Sequence, residues 1–198
     1  MSKVRLEMIH PIRITMINKR YSLMLGVLLY LLICVHCAFA DDLYTIRGYN
    51  YVRNHKYEEA IIEYFKSLTM DPNNAKTYNN LGYCYKMLNQ ASKAISYFEK
   101  VLEINPNYTE AYCNLGDIHG ISGKWEKARF YLDKAIEIDS DCIEAYRTYG
   151  NLYFISKKYD QAIPYLEKAK KLMQQKGGHQ FLEITEAMLI SAKEEVNK

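Results

Sequence analysis

Side chains that could carry catalysis are few in this 198-residue chain. After residue 40 the histidines are His55, His119 and His179, and none combines with a nucleophile and an orienting acid at helical spacing. The acidic cluster Asp139-Ser140-Asp141, followed by Glu144, lacks the glycine turn and most ligands of a calcium loop. No glycine-rich stretch has the spacing of a phosphate-binding loop. We therefore expect no enzyme, no cofactor and no metal site, which leaves hydrogen bonding and packing as the available chemistry.

Three residue types recur with one period of 34 residues. A glycine marks each repeat, a tyrosine lies four residues before it, and an alanine lies twelve residues after it. The register holds through four cycles without an insertion, which indicates an array of stacked units built to hold other molecules. The glycines are Gly48, Gly82, Gly116 and Gly150, the tyrosines are Tyr44, Tyr78, Tyr112 and Tyr146, and the alanines are Ala60, Ala94, Ala128 and Ala162.

Each unit contains two segments that the apolar pattern predicts to be helical, such as residues 75–88 and 92–104. Glycine inside a helix costs ~1 kcal/mol relative to alanine. We therefore expect each repeated glycine to lie where a neighbouring helix approaches closely, with the repeated alanine as its small partner. Breaks between units are predicted at Asp71-Pro72-Asn73-Asn74, Asn105-Pro106-Asn107, Ser140-Asp141 and Gln174-Gln175, and tight turns within units at His55-Lys56, Asn89-Gln90, Ser122-Gly123 and Ser156-Lys157.

The repeat resembles the tetratricopeptide repeat. Its second unit carries the residue types of that family's pattern, namely Tyr78, Leu81, Gly82, Tyr85, Ala94, Phe98, Val101 and Pro106. The third unit departs from the pattern at His119, where tyrosine is usual. The resemblance implies an all-α fold, a right-handed α-solenoid of four tandem helix-turn-helix units. The units would span residues 41–74, 75–108, 109–142 and 143–176, and residues 177–198 would form a capping helix.

The resemblance also implies that the first helices of successive units line a concave groove that binds a partner peptide. Asn80 and Asn114 share one repeat position there, and asparagine both donates to and accepts from a peptide backbone. Glu110 and Glu144 would repel the acidic tails that chaperone-binding members of the family grip. The predicted groove residues are Tyr49, Arg53, Asn79, Asn80, Tyr83, Lys86, Met87, Cys113, Asn114, Asp117, Arg147 and Asn151.

Five cysteines are present, of which Cys34 and Cys37 precede residue 41 without the small residues of a bacterial lipid-attachment site. Cys84, Cys113 and Cys142 remain. An odd number leaves at least one thiol free or paired between chains. Their different positions in the repeat predict that they lie on different faces, as small buried or half-buried residues.

Residues 1–40 differ in composition from the repeats. Five basic side chains precede an uncharged run, residues 23–35, and Ala38-Phe39-Ala40 offers a cleavage pattern. This layout predicts a secretory signal peptide, because a spanning helix wants ~20 apolar residues; a retained membrane anchor is the alternative. Met16 would be a more usual start than Met1. Either way we expect the repeats outside the cytoplasm, periplasmic or secreted, since the basic end stays inside.

Charge excludes one class of partner. Residues 1–40 carry five basic side chains and one acidic one while the whole chain is +3, so the remainder is −1 and offers no basic face to nucleic acid. We therefore expect an exported adaptor that binds a protein or peptide, touching a membrane only through an uncleaved N-terminal segment. The alternatives are a self-assembling scaffold, which would be a homo-oligomer, and an accessory subunit of an enzyme in another chain.

Overall fold

The computed structural model describes residues 24, 27, 28, 43–177 and 181–197, and every regular element in these residues is helical. No helix in this described part is both long and apolar enough to cross a membrane. The predicted signal segment, residues 1–40, lies outside the described residues apart from Met24, Val27 and Leu28. The helices are α1 (residues 43–53), α2 (Tyr57–Met70), α3 (Ala75–Met87), α4 (Ala91–Ile104), α5 (Thr109–Ile121), α6 (Trp125–Ile138), α7 (Ile143–Ile155), α8 (Tyr159–Lys176) and α9 (Leu182–Val196).

The helices pair as the period predicts, α3 with α4, α5 with α6 and α7 with α8, and each pair packs on the next to form an α-solenoid. The core consists of small clusters, each of which joins one unit to the following one. Phe98 of α4 packs in one cluster with Leu115 of α5, and Leu132 of α6 in another with Leu152 of α7. Such a core buries apolar surface only between neighbours, which is why the fold needs several units.

The turns within the units lie where the sequence predicts them and share one backbone geometry. In each turn an N–H bonds to a carbonyl five residues earlier, for example Gln90 to Tyr85 at 2.9 Å, which satisfies the end of the first helix. This closure needs a left-handed residue. That residue is His55, Asn89, Gly123 or Lys157, with φ of 58°, 56°, 71° and 59° respectively.

The breaks between units use a second repeated device. The side chains of Asp71, Asn105 and Asp139 each accept a hydrogen bond from the N–H two residues later, at 3.0–3.1 Å, and so end the second helix. The equivalent residue in the fourth unit is Met173, which cannot do this. Helix α8 therefore runs through Gln174-Gln175, where the sequence predicts a break, and ends at Lys176 before the left-handed Gly177.

The repeated glycines lie in first helices at helix crossings, as expected, and the repeated alanines are buried. The expected approach of backbone and alanine holds in part, since a methyl group added to Gly116 would lie 3.3 Å from the backbone oxygen of Ala128, but the nearest atoms at each repeated glycine belong to a large side chain. A methyl group added to Gly82 would lie 2.7 Å from the ring carbon Cε1 of Phe98, and one on Gly150 would lie 2.5 Å from Cδ2 of Leu166. The glycine thus makes room for a large side chain of the second helix.

An aromatic stack ties the two helices of a unit together. The ring of Tyr97 in α4 lies parallel to that of Tyr85 in α3, with centroids 5.2 Å apart. Tyr131 and His119 stack in the same way at 5.4 Å, so the histidine keeps the contact that tyrosine makes elsewhere. Offset stacking of this kind adds ~0.5–1.5 kcal/mol beyond the buried area.

Helix α9 packs against α8 and α7, with Leu189 in a cluster with Ala162 and Leu166. Two ion pairs join α9 to α8, Lys170 to Glu186 at 2.9 Å and Lys193 to Glu167 at 2.7 Å. Helix α9 begins at Leu182, whereas the sequence predicts a capping helix over residues 177–198. Residues 178–180 lie outside the described residues.

Candidate functional site

The first helices of successive units lie side by side, α3 against α5 and α5 against α7, and their inner faces line one concave cavity of about 690 Å³. Residues of α1 and α2 close one end of the cavity. Phe181, which precedes α9, closes the other. We call this cavity the groove. It arises because the period brings the same face of each first helix to the same side of the array.

Eleven of the twelve residues predicted for the groove line the cavity. The exception is Met87, whose side chain is 42% exposed and lies outside the cavity lining. Sequence reasoning missed Val52, Tyr57, Tyr64 and Phe181, and it placed His55 only in a turn. Tyr57 and Tyr64 lie in a second helix, and the predicted groove residues all come from first helices. Phe181 arrives through the docking of α9, so no helical spacing signals these residues.

Lys86 connects the second unit to the third. Its Nζ donates to Oδ1 of Asn114 at 2.7 Å and pairs with Oδ2 of Asp117 at 3.1 Å, and it lies 5.8 Å from the ring centroid of Tyr83. Both charged side chains are about three-quarters buried, with relative exposures of 23% for Lys86 and 22% for Asp117. The cation is thus held across the floor of the groove and is not free to follow a ligand.

The asparagines of the groove are not equivalent. The side-chain amide of Asn114 donates to the carbonyl of Glu110 at 3.0 Å and accepts from Lys86, so the protein already uses it. Asn79 donates to Oε2 of Glu110 at 3.2 Å, and its Oδ1 is buried without a partner among the described residues. Asn80 and Asn151 line the groove, and among the described residues neither side chain forms a hydrogen bond. Two amides are thus available to a ligand.

The fourth unit supplies a second paired cation. The guanidinium of Arg147 bonds to Oε2 of Glu144 at 2.5 Å and 3.1 Å. It also lies 4.7 Å from the ring centroid of Phe181, a contact that combines cation–π attraction with apolar packing. Phe181 and Arg147 together form the wall at this end of the groove.

Charges in the groove balance. The lining contains Arg53, Lys86 and Arg147 together with Glu110, Asp117 and Glu144, so its Lys, Arg, Asp and Glu side chains carry no formal net charge. Burial raises the pKa of the Tyr83 phenol, with smaller contributions from Tyr57 and Cys84, and Tyr83 is therefore a neutral donor at physiological pH. The groove offers amides, a phenol and flat rings, which suit an uncharged polar chain.

The cysteines deviate from the expectation of different faces. Sγ of Cys113 in α5 and Sγ of Cys142, the residue before α7, lie 3.7 Å apart and both residues are buried. Their repeat positions differ, but Cys142, the last residue of the third unit, lies next to α5, the first helix of the same unit. Cys84 is buried apart from them in the cluster with Tyr64 and Leu81. Within the described residues, no group of three or more His, Cys, Asp and Glu side chains is placed to hold a metal ion.

Family models match the repeat region of the chain. Models described as tetratricopeptide repeat match residues 75–108, 97–130 and 143–175, and one described as TPR repeat matches residues 48–89. The matches together cover more than half of the chain. A comparison with curated proteins found no match.

Solved structures share the fold. A crystal structure of MamA is 26% identical, covering 70% of this chain and 81% of its own, with a TM-score of 0.57. The first TPR of Spaghetti (RPAP3), bound to the HSP90 peptide SRMEEVD, is 27% identical, covering 60% of this chain and 91% of its own, with a TM-score of 0.53. The APC/C hetero-tetramer Cut9–Hcn1 reaches a TM-score of 0.72 at 20% identity, covering 79% of this chain but 30% of its own, and that likeness concerns the fold alone.

Proposed function

Because this chain belongs to the tetratricopeptide repeat family, we propose that it is a protein-interaction adaptor that binds an extended segment of a partner in its groove. The observation that carries the proposal is a continuous cavity lined by two unpaired amides, Asn80 and Asn151, in different units. An extended peptide presents N–H and C=O groups along its whole length, and each amide can both donate and accept. The rings of Tyr49 and Tyr83 add flat apolar surface to the same wall.

The charges of the groove favour a segment without strong net charge. The peptide bound to the first TPR of Spaghetti (RPAP3) is acidic, as its printed sequence SRMEEVD shows. In this chain Lys86 and Arg147 are already paired with acidic side chains, and Glu110 and Glu144 line the same groove. A carboxylate-rich ligand would have to displace these pairs and approach like charges. We therefore propose a neutral polar or aromatic segment as the ligand.

Peptide selection tests the proposal without knowledge of the natural partner. Random peptides would be selected on the full-length protein, and the affinity of the best peptide measured by fluorescence anisotropy. We expect the double variant Asn80→Ala/Asn151→Ala to bind it about tenfold more weakly, because each lost hydrogen bond is worth ~0.5–1.5 kcal/mol. We also expect neutral peptides to outnumber acidic ones among those selected.

The matched control is Phe130→Ala, which removes a 57% exposed ring from α6, outside the groove lining. This variant should retain the affinity of the wild type. Equal binding by wild type and the double-amide variant would contradict the groove as the binding surface. Selected peptides that lose affinity only with Phe130→Ala would move the interaction to the other face of the array.

We also propose that the adaptor acts outside the cytoplasm. The support is the basic lead and the uncharged run, residues 23–35, ahead of Ala38-Phe39-Ala40. Fractionation of cells that express the full chain tests this, with the N-terminus of the recovered protein read by mass spectrometry. Export predicts recovery beyond the inner membrane, and a new N-terminus near residue 41 would distinguish a cleaved signal from a retained anchor.

A further inference from the structure

Two thiols meet at the junction of the third and fourth units. Sγ of Cys113 and Sγ of Cys142 lie 3.7 Å apart, a contact made between α5 and the residue that precedes α7. A disulfide needs its sulfurs about 2.05 Å apart, so closure requires the two atoms to approach by about 1.7 Å. A change of the side-chain torsions can supply a displacement of this size without unstacking the units.

The surroundings make the two thiols unequal. The hydrogen bond donated by the Cys113 thiol lowers the pKa of Cys142, and the backbone at Ala145 adds to this lowering against the opposing effect of burial. Cys142 also precedes the first residue of α7, Ile143, and a helix N-terminus favours a thiolate. Cys84 is the contrast within the same chain, since burial raises the pKa of its thiol to about 12.

The two thiols differ from Cys84 in exposure. Cys142 is 8% exposed and Cys113, which lines the cavity, is 6% exposed, whereas Cys84 is 0% exposed in the core. We propose that Cys113 and Cys142 form a redox-active dithiol site that closes to a disulfide between the first helix of the third unit and the last residue of that unit when it meets a disulfide-form oxidant. Closure would tie α5 to the start of α7 beside the groove, which makes the groove wall sensitive to redox state.

The reaction is a thiol–disulfide exchange in two steps. The Cys142 thiolate attacks one sulfur of the oxidant, such as glutathione disulfide, to form a mixed disulfide and release one glutathione thiolate. Cys113 loses its proton and attacks Sγ of Cys142, which releases the second glutathione. Two electrons pass from the cysteines to the oxidant, and the two protons lost by the cysteines end on the two glutathione molecules.

Peptide mapping tests the proposal on the unmodified full chain. Trypsin places Cys84, Cys113 and Cys142 in separate peptides, residues 77–86, 101–124 and 135–147, and places Cys34 and Cys37 together in residues 21–47. After incubation with glutathione disulfide and alkylation, we expect peptide 101–124 linked to 135–147, with the mass of two hydrogen atoms missing. Peptide 77–86 should carry the alkyl group. Two alkylated peptides in place of the linked pair, or a link that includes Cys84, would overturn the proposal.

A second readout separates a reactive pair from two thiols that merely pack together. The pH at which Cys142 is half-maximally alkylated should rise in Cys113→Ala, because the donated hydrogen bond is lost. It should stay near the wild-type value in Cys113→Ser, whose hydroxyl can still donate. A midpoint that is unchanged in Cys113→Ala would overturn the assignment of Cys142 as the attacking thiol.

Discussion

Two sets of positions in this molecule repeat with the same period but differ in how much their residues vary. In the second, third and fourth units a ring of the second helix stacks on a ring of the first, at 5.2, 5.4 and 5.6 Å. In the groove, one repeat position holds Asn79, Cys113 and Arg147, which are an amide, a thiol and a guanidinium. The same backbone therefore carries nearly constant chemistry at the stack and changing chemistry in the groove.

The difference follows from what each position faces. A stacked ring faces another ring at fixed distance inside its own unit, so a change of size or shape must be absorbed by a packed neighbour. A groove residue outside the core, such as Asn80 or Asn151, faces an open cavity, where a change of side chain alters what can bind and leaves the helix packing intact. Positions that specify the fold and positions that would specify the partner are thus separated on opposite sides of each first helix.

The largest expected effect comes from the packed side. Phe98 of α4 is fully buried with its ring against Gly82 of α3. Phe98→Ala should therefore lower the free energy of unfolding by ~3–5 kcal/mol. Urea denaturation followed by circular dichroism measures this loss. The groove variant Asn80→Ala is the control and should stay within ~0.5 kcal/mol of the wild type. Similar losses in both variants would break the proposed separation of fold and groove.

The fold could be read from the sequence because buried positions repeat with the period. The glycines, alanines and turn residues each lie 34 residues apart, and one correct assignment extends to every unit. The predicted end of α8 is wrong because Met173 stands where the earlier units have a capping Asp or Asn. Proline is also tolerated inside that helix, at Pro164, although proline normally ends a helix.

The sequence could predict which helix faces line the groove but not which side chains in it contact each other. The period fixes which side of α3, α5 and α7 faces inward, and so it selects Asn80, Tyr83 and Asn151. The bridge from Lys86 to Asn114 spans 28 residues, and the contact of Cys113 with Cys142 spans 29. Neither separation equals the period. These contacts depend on the reach of individual side chains, which a repeat pattern does not encode.

The next effect concerns the one histidine in the stack. His119 is 6% exposed, and burial lowers its pKa, with Lys127 and Lys124 acting in the same direction and Glu99 opposing them. A lowered pKa in the folded state means that the unfolded chain takes up the proton first. The contribution of His119 to stability is therefore complete above the unfolded pKa of about 6.5 and is lost as the pH falls below it.

Comparison of the wild type with His119→Tyr tests this pH dependence. Tyrosine is the residue at the equivalent positions Tyr85 and Tyr153, so the stack should be retained. Thermal melts at pH 8 and pH 5 should show a larger drop in Tm for the wild type than for the variant. All other titrating groups are shared by the two proteins, and equal drops would contradict a role for His119.

The smallest expected effect concerns the turns within the units, where the backbone conformation repeats but the residue varies. His55, Asn89, Gly123 and Lys157 all adopt a left-handed conformation, which costs a residue with a Cβ ~1–2 kcal/mol and glycine almost nothing. Lys157→Gly should therefore raise the free energy of unfolding by up to ~1 kcal/mol, since the greater freedom of glycine in the unfolded chain offsets part of the gain. Asn89→Gly should gain less, because asparagine tolerates this conformation better than lysine does. Urea denaturation of the two variants measures the order, and a larger gain at Asn89 than at Lys157 would show that contacts outside the turn, not its backbone, set the stability there.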